Sequence, residues 1–131
     1  MSGFASDSVS QRSVAGVLLV LSAVQAFVIG CAAWSHGPTM NEPAHLASGL
    51  HRWHTGNNVA YRVNPPLVRT IATAPVYAFA DHQVDWTGYR DGPGARPEFE
   101  FGANFVAANA MATMDFLRVA RLTLLPLVLL A

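Results

Sequence analysis

The stretch from Met40 to Pro75 holds many of the side chains in this chain that could do chemistry. It reads MNEPAHLASGLHRWHTGNNVAYRVNPPLVRTIATAP, and its single acid is Glu42. A lone carboxylate in a cleft is a candidate general base, which would take a proton from a hydroxyl group. An acid at the start of a helix also complements the helix dipole without any catalytic role. Spacing alone leaves both interpretations of Glu42 open.

The histidines of this stretch have spacings that two metal ligands on one helix would use. Glu42 and His45 are three positions apart, as are His51 and His54, and side chains at this spacing can reach one ion. His45 and His51 lie on different sides of a helix, so the two pairs do not favour a shared site. A divalent metal is therefore the weaker interpretation, and no metal ligands are predicted.

Three arginines, Arg52, Arg62 and Arg69, lie on either side of Asn64. A guanidinium group suits the geometry of a phosphate, so this set could hold the phosphate of an anionic lipid carrier. Arginines at a membrane surface also extend toward the headgroups while their stems cover apolar surface. The sequence leaves both roles open.

The composition favours a membrane protein and argues against nucleic acid as a partner. Of the 131 residues, 52% are hydrophobic and only 12% are charged, whereas soluble domains have about 25% charged residues. Eight arginines balance eight acids, and no run of like charge occurs. A surface for nucleic acid is therefore not predicted. The single cysteine, Cys31, excludes an internal disulfide.

Residues 14–34, VAGVLLVLSAVQAFVIGCAAW, carry no charge and would span roughly 30 Å as a helix. Trp34 closes this run, where an indole ring suits the membrane interface. We predict a transmembrane helix here, with residues 1–13 as a cytoplasmic tail containing Arg12 and the following polar segment outside. The alternative is a secretory signal, in which VIGC resembles a lipoprotein cleavage site and Cys31 carries the lipid.

Beyond the first membrane helix, caps and apolar periodicity predict short helices joined by turns. Their predicted ranges are 41–54 with Asn41 as N-cap, 66–80 with Pro66 in the first turn, and 99–117. They belong to an external loop over residues 35–117, and Pro75 is expected to kink the second helix or end it early. Residues 118–131 predict the start of a second transmembrane helix that is cut short. The predicted fold class is an all-α membrane protein with one complete transmembrane helix and interfacial amphipathic helices in the external loop.

The order of these elements resembles the amino-terminal part of membrane glycosyltransferases of the protein-mannosyltransferase type, which belong to the GT-C superfamily. After the apolar helix, the blocks that carry the resemblance are NEPAHLASGLHRWHTG, YRVNPPLVRTIATAPV, FGANF and DFLRVARLTLLPLVLL. The resemblance covers about residues 14–131 but only the start of a family member. The family opens its external loop with an Asp-Glu pair and has a histidine before Pro-Pro-Leu. Asn41 and Asn64 stand at the first acid and at that histidine.

The resemblance assigns candidate roles within the polar stretch. Glu42 matches the second acid of the pair and is the candidate catalytic base, because Asn41 replaces the acid that the family uses for this task. Arg121 matches an arginine that commonly opens the second membrane helix. The candidate substrate-binding residues are His45, Asn64 and Arg69. The implied donor is a polyprenyl-phosphate sugar, and no further cofactor is implied.

The implied function is an inverting sugar transfer from the lipid carrier to an external acceptor, at a bacterial inner membrane. The chain would be inactive without the remaining membrane helices, supplied by the rest of the enzyme or by a partner membrane protein, because one and a half helices cannot enclose a lipid carrier. The alternative is a small non-enzymatic module, anchored by the helix or by lipid, whose amphipathic segments bind a partner or the bilayer surface.

Overall fold

The structure is a computed structural model that describes residues 4–87 and 96–130, with side chains described from residue 11 onward. These ranges contain the helices α1 (Phe4–Ser35), α2 (Glu42–Thr55), α3 (Pro66–Phe79), α4 (Pro97–Asn109), α5 (Ala112–Thr123) and α6 (Leu125–Leu130). No strand occurs in the described ranges. The all-α part of the predicted fold class is therefore confirmed.

The first helix stands largely clear of the other helices. Its segment Gln11–Ser35 has a mean hydropathy of 2.4, and none of its most apolar stretch is buried within the protein. Leu19 and Phe27 are each 72% exposed, and so much apolar surface is unfavourable in water. By length and composition, α1 is the one helix in the described ranges that could cross a membrane. A signal sequence near the amino terminus has the same properties.

The bounds of α1 differ from the prediction mainly at its amino-terminal end. The helix begins at Phe4, ten residues before the predicted start at Val14. Neither proline nor glycine occurs between these two residues to stop the helix. At the other end, α1 stops at Ser35, one residue after the predicted end. Gly37 and Pro38, which break helices, follow after one intervening residue, His36.

The next two helices lie within one residue of their predicted bounds because short-range signals define their ends. Gly56 ends α2 in the left-handed conformation with φ 74°, and its N–H bonds the carbonyl of Arg52 at 2.8 Å. Pro66 opens α3, where its missing N–H costs nothing. The helix continues through Pro75 to Phe79. Of the two effects expected at Pro75, a kink or an early end, the early end does not occur, and the predicted range 66–80 holds to within one residue.

The predicted single helix over residues 99–117 is also wrong, since the structure divides it into α4 and α5. The break lies at Ala110, which has φ 45°, a conformation that non-glycine residues rarely adopt. The side-chain amide of Asn109 both donates to and accepts from the backbone of Gln83, at 2.8 Å and 2.9 Å. The break lets α4 pack on α2 while α5 packs on α3 and α1. Tertiary packing thus overrides the continuous helical pattern.

The core forms where α2, α3, α4 and α5 meet. Its larger apolar members are Leu46, Leu50, Val76, Phe101, Phe105, Phe116 and Leu117. Each fully buried side chain of this size stabilises the fold by about 1.5–3 kcal/mol. Two glycines allow the helices to approach closely: a Cβ atom at Gly49 would lie 2.5 Å from Thr73 Oγ1, and one at Gly102 would lie 2.7 Å from the backbone nitrogen of Ala44. These contacts hold α2 tightly against α3 and α4.

The end of the described chain returns to the first helix. Residues 118–131 were predicted to start one membrane helix, but the structure divides the described part of this range between the end of α5 and α6. Both helices contact α1. The apolar helix α6 therefore lies beside α1.

Candidate functional site

A cleft of about 400 Å³ opens between α2, α3 and α5. Its polar lining consists of Glu42, His45, Asn64, Arg69, Thr73 and Arg121, and the rest of its wall is apolar, including Leu46, Val68 and Leu117. Four of the five candidate site residues therefore share one cleft. The fifth, Asn41, occupies the N-cap position of α2 without a side-chain capping hydrogen bond, is exposed, and is not part of this lining.

Glu42 forms a two-armed ion pair with Arg121. Arg121 Nε donates to Glu42 Oε1 at 2.7 Å, and a terminal guanidinium nitrogen donates to Oε2 at 2.6 Å. The backbone N–H of Thr39 also donates to Oε2, at 2.7 Å. The hydrogen bond from Arg121 is the main cause that lowers the pKa of Glu42, against an opposing effect of burial. The carboxylate is thus stabilised in its charged form and is a weaker base than an isolated glutamate.

The same arginine joins α5 to the end of α1. Its terminal nitrogens donate to the carbonyl oxygens of Ala33 at 3.0 Å, His36 at 2.8 Å and Gly37 at 2.9 Å. The last carbonyls of a helix have no partners within the helix and carry partial negative charge. Arg121 therefore binds one of these last carbonyls, that of Ala33, and two carbonyls just after α1, while it holds the carboxylate of Glu42 in place.

Arg69 is the most buried cation of the cleft, with 4% exposure. Its guanidinium donates to the carbonyls of Tyr61 at 2.6 Å and Asn64 at 3.0 Å, and lies 5.1 Å from the centre of the Tyr61 ring. Its Nε atom is buried and has no hydrogen-bond partner in the described ranges. Burial is the main cause that lowers the pKa of Arg69, but an arginine remains charged at neutral pH. The wall of the cleft therefore holds a positive charge that is stabilised by carbonyl dipoles. Among the described residues, no carboxylate forms an ion pair with it.

Asn64 acts on Arg69 through its backbone. Its carbonyl accepts from the guanidinium, while its side-chain nitrogen donates to the hydroxyl of Tyr61 at 3.0 Å. These bonds tie the turn before α3 to the first turns of that helix. Asn64 therefore supports the position of Arg69, and its role in binding a substrate stays a prediction.

His45 lies one turn after Glu42 on α2 and is half-buried in the same cleft. Its ring stacks on Tyr61 with the centroids 4.6 Å apart. Burial is the main cause that lowers the pKa of His45 below its usual value, and the charge of Arg69 adds to this effect. Glu42 and Glu98 act in the opposite direction. The imidazole is therefore mainly neutral at pH 7.

His51 and His54, the second pair of side chains three positions apart, have different partners. His51 is buried against Trp86 and Phe101, whereas His54 Nε2 lies 3.1 Å from Nε2 of His82, on the segment after α3. Within the described ranges, no group of three or more histidine, cysteine or acidic side chains is placed to hold a metal ion. The spacing of the histidines in the sequence does not predict the contact between His54 and His82.

Sequence reasoning missed two contributions to this site. Tyr61 supplies both the carbonyl that binds Arg69 and the ring on which His45 stacks. The resemblance predicts Arg121 at the start of the second membrane helix, whereas in the structure it pairs with Glu42, which lies 79 positions earlier in the chain. A charged side chain at the edge of an apolar run requires a counter-charge. This requirement was the one signal in the sequence for the ion pair of Glu42 and Arg121.

Comparison with known proteins reveals no relative of this chain. No family model matches it, and no curated protein or solved structure gives a significant match.

Proposed function

We propose that this chain forms the amino-terminal, membrane-proximal part of a GT-C-type glycosyltransferase that uses a polyprenyl-phosphate sugar. The observation that carries the proposal is the cleft in which an acid, a neutral histidine and a buried arginine come together beside an exposed apolar helix. The resemblance of the sequence to the protein-mannosyltransferase type supplies the class of reaction.

The lining of the cleft suits a lipid phosphate. Arg69 offers a buried positive charge with an unpaired Nε atom, and a guanidinium binds phosphate oxygens with charge-assisted hydrogen bonds. The apolar wall that includes Val68 and Leu117 would contact the first isoprenoid units of the carrier. As the phosphate leaves with the bonding electrons, Arg69 would stabilise the charge that develops on its oxygens.

The proposed location is a bacterial inner membrane, with α1 crossing it, residues 1–13 in the cytoplasm and the cleft outside. The contact between α6 and α1 supports a second apolar helix beside the first. Further membrane helices, from the rest of the enzyme or from a partner membrane protein, would complete the cavity for the carrier. Neither nucleic acid nor a metal ion is part of this proposal.

A second candidate is a non-enzymatic module, anchored by α1 or by lipid at Cys31, that binds a partner or the bilayer surface. Several large apolar side chains outside α1 are exposed, including Phe79 at 89%, Met111 at 84% and Leu67 at 68%. Such side chains would insert into the interface of a bilayer. Intact mass measurement on the native membrane protein separates the candidates, since a lipidated species that begins at Cys31 would favour the module.

The direct test measures binding of polyprenyl phosphate to the native protein in nanodiscs, with the uncharged polyprenol as the matched ligand. We expect the phosphate to bind more tightly, and Arg69→Gln to reduce that affinity by about tenfold or more, because hydrogen bonds to charged groups contribute about 1.5–3 kcal/mol. Arg118→Gln is the control, since Arg118 pairs with Asp115 outside the cleft. Equal affinity for the phosphate and the alcohol would contradict the proposal.

A further inference from the structure

We propose that His45, rather than Glu42, accepts the proton of the acceptor hydroxyl in this cleft, and that Glu42 positions the end of α1. This inference rests on the proposed sugar transfer. It assigns the proton acceptor to a residue for which the sequence suggested substrate binding and not catalysis.

The contacts of Glu42 are those of a structural ion pair. Both carboxylate oxygens accept hydrogen bonds from Arg121, and one accepts a further bond from the Thr39 backbone. Arg121 in turn holds three carbonyls at the end of α1. A proton on Glu42 would remove the negative charge that pairs with Arg121. Each turnover would then weaken the contacts that hold α1, α2 and α5 together.

His45 has a ring-nitrogen lone pair that is not engaged in a hydrogen bond, whereas both carboxylate oxygens of Glu42 already accept hydrogen bonds. His45 lines the same cleft, and neither ring nitrogen has a hydrogen-bond partner in the described ranges; its ring contact is the stack on Tyr61. The other uncharged polar groups of the cleft are unsuited to the task, because the Thr73 hydroxyl already donates to the carbonyl of Arg69 and the amide of Asn64 is not basic. Among the described lining residues, His45 is therefore the neutral group able to take a proton near pH 7.

The charges around His45 come from every helix packed near it. Arg69 on α3 disfavours the imidazolium, while Glu42 on α2 and Glu98 on α4 favour it, and Arg121 on α5 is paired with Glu42. Burial and Arg69 outweigh the acids, so the pKa of His45 lies below its usual value. The free imidazole is then the main form at neutral pH, ready to accept a proton.

The proposed step conserves atoms and charge. A ring nitrogen of His45 takes the proton of the acceptor hydroxyl while that oxygen forms a bond to the anomeric carbon of the sugar. The bond between this carbon and the phosphate oxygen breaks, and the oxygen keeps the electron pair, so polyprenyl phosphate leaves beside Arg69. The imidazolium then releases its proton to water. No metal ion, oxidant or reductant is needed for this step.

The test uses the native protein in membranes with a panel of radiolabelled polyprenyl-phosphate hexoses, starting with the mannose donor. We expect His45→Ala to lower kcat by about 100-fold or more, in line with general base catalysis, with little change in the donor KM. In the wild type, the rate should rise with pH through a pKa below the usual value for histidine, and this limb should disappear in His45→Ala. Added imidazole should restore part of the rate, which a merely structural defect would not allow.

Glu42→Gln is the comparison that separates the two roles. It should lower kcat by less than about tenfold, reduce the stability of the protein, and keep the pH limb. His45→Gln, which preserves a polar side chain of similar reach, guards against a folding defect in the alanine variant. Full activity of both His45 variants, or a loss of the pH limb in Glu42→Gln but not in His45→Ala, would overturn the inference and leave the sugar transfer standing. A native protein that has the remaining membrane helices and still turns over none of the donors would overturn both.

Discussion

The close approach of α2 to α3 makes Gly49→Ala a quantitative test of the structure. An ideal Cβ atom at this position would lie 2.5 Å from Thr73 Oγ1, 2.7 Å from Thr73 Cγ2 and 2.8 Å from the carbonyl oxygen of Arg69. Thr73 is 1% exposed and its hydroxyl donates to that same carbonyl, so the side chain has no space into which to turn. The helices must therefore separate to accommodate the methyl group.

The expected magnitude is the difference between two opposing effects. Alanine improves helix propensity over glycine by about 1 kcal/mol. Overpacking a tight site costs about 1–3 kcal/mol and occasionally more, and contact with a backbone carbonyl places this site at the upper end. We expect Gly49→Ala to lower the free energy of unfolding by about 2 kcal/mol in total. Because α2 carries His45 and α3 carries Arg69, the shape of the cleft should change as well.

The assay is chemical unfolding in mild detergent, followed by tryptophan fluorescence. Trp53 reports on this interface, since its Nε1 donates to the carbonyl of Thr70 on α3 at 3.0 Å. Gly30→Ala in α1 is the matched control, because a Cβ atom there has no neighbour within 4 Å. The double change Gly49→Ala with Thr73→Ala should recover part of the loss. A Gly49→Ala protein as stable as the Gly30→Ala control would refute the close approach of α2 and α3.

Three further predictions concern the other contacts of α2. Gly102→Ala should lower the free energy of unfolding by about 2 kcal/mol in the same assay, after the same gain of about 1 kcal/mol in helix propensity, because its Cβ would lie 2.7 Å from the backbone nitrogen of Ala44. An unchanged stability would contradict the packing of α4. Arg121→Lys should lower the free energy of unfolding by about 2 kcal/mol, since an ammonium group cannot bond both carboxylate oxygens and three carbonyls at once. Equal stability would refute the role of Arg121 in connecting α5 to α1 and α2. The pKa of Glu42 is lowered on folding, so its stabilising effect is complete above about pH 4.5 and is lost as the pH falls through the lower folded pKa. Wild type and Glu42→Gln should therefore converge in stability in acid, and a constant difference from pH 7 to pH 3 would exclude this linkage.

Part of the site followed from the sequence, and part did not. Glu42, His45, Asn64 and Arg69 were selected from residue type, spacing and resemblance, and the structure places all four in one cleft. Their roles as base and ligands stay predictions. The state of Glu42 was not predictable, because its acidity depends on a partner that lies 79 positions away.

The local signals of the sequence determined where α2 and α3 begin and end. Pro66 opens α3 and Gly56 closes α2 through the conformations of single residues, and the uncharged run in α1 is apparent from composition alone. These signals act over one or two turns, so no knowledge of the remaining chain is needed.

Tertiary structure alone decided the break at Ala110 and the pairing of Glu42 with Arg121. The apolar pattern across the break is compatible with one continuous helix, and only the requirement that α4 cover α2 while α5 covers α3 and α1 divides it. The ion pair joins residues from opposite ends of the polar segment, which become neighbours when the core of α2, α3, α4 and α5 is packed. Contacts between distant positions depend on the whole packed core, and local sequence patterns do not encode them.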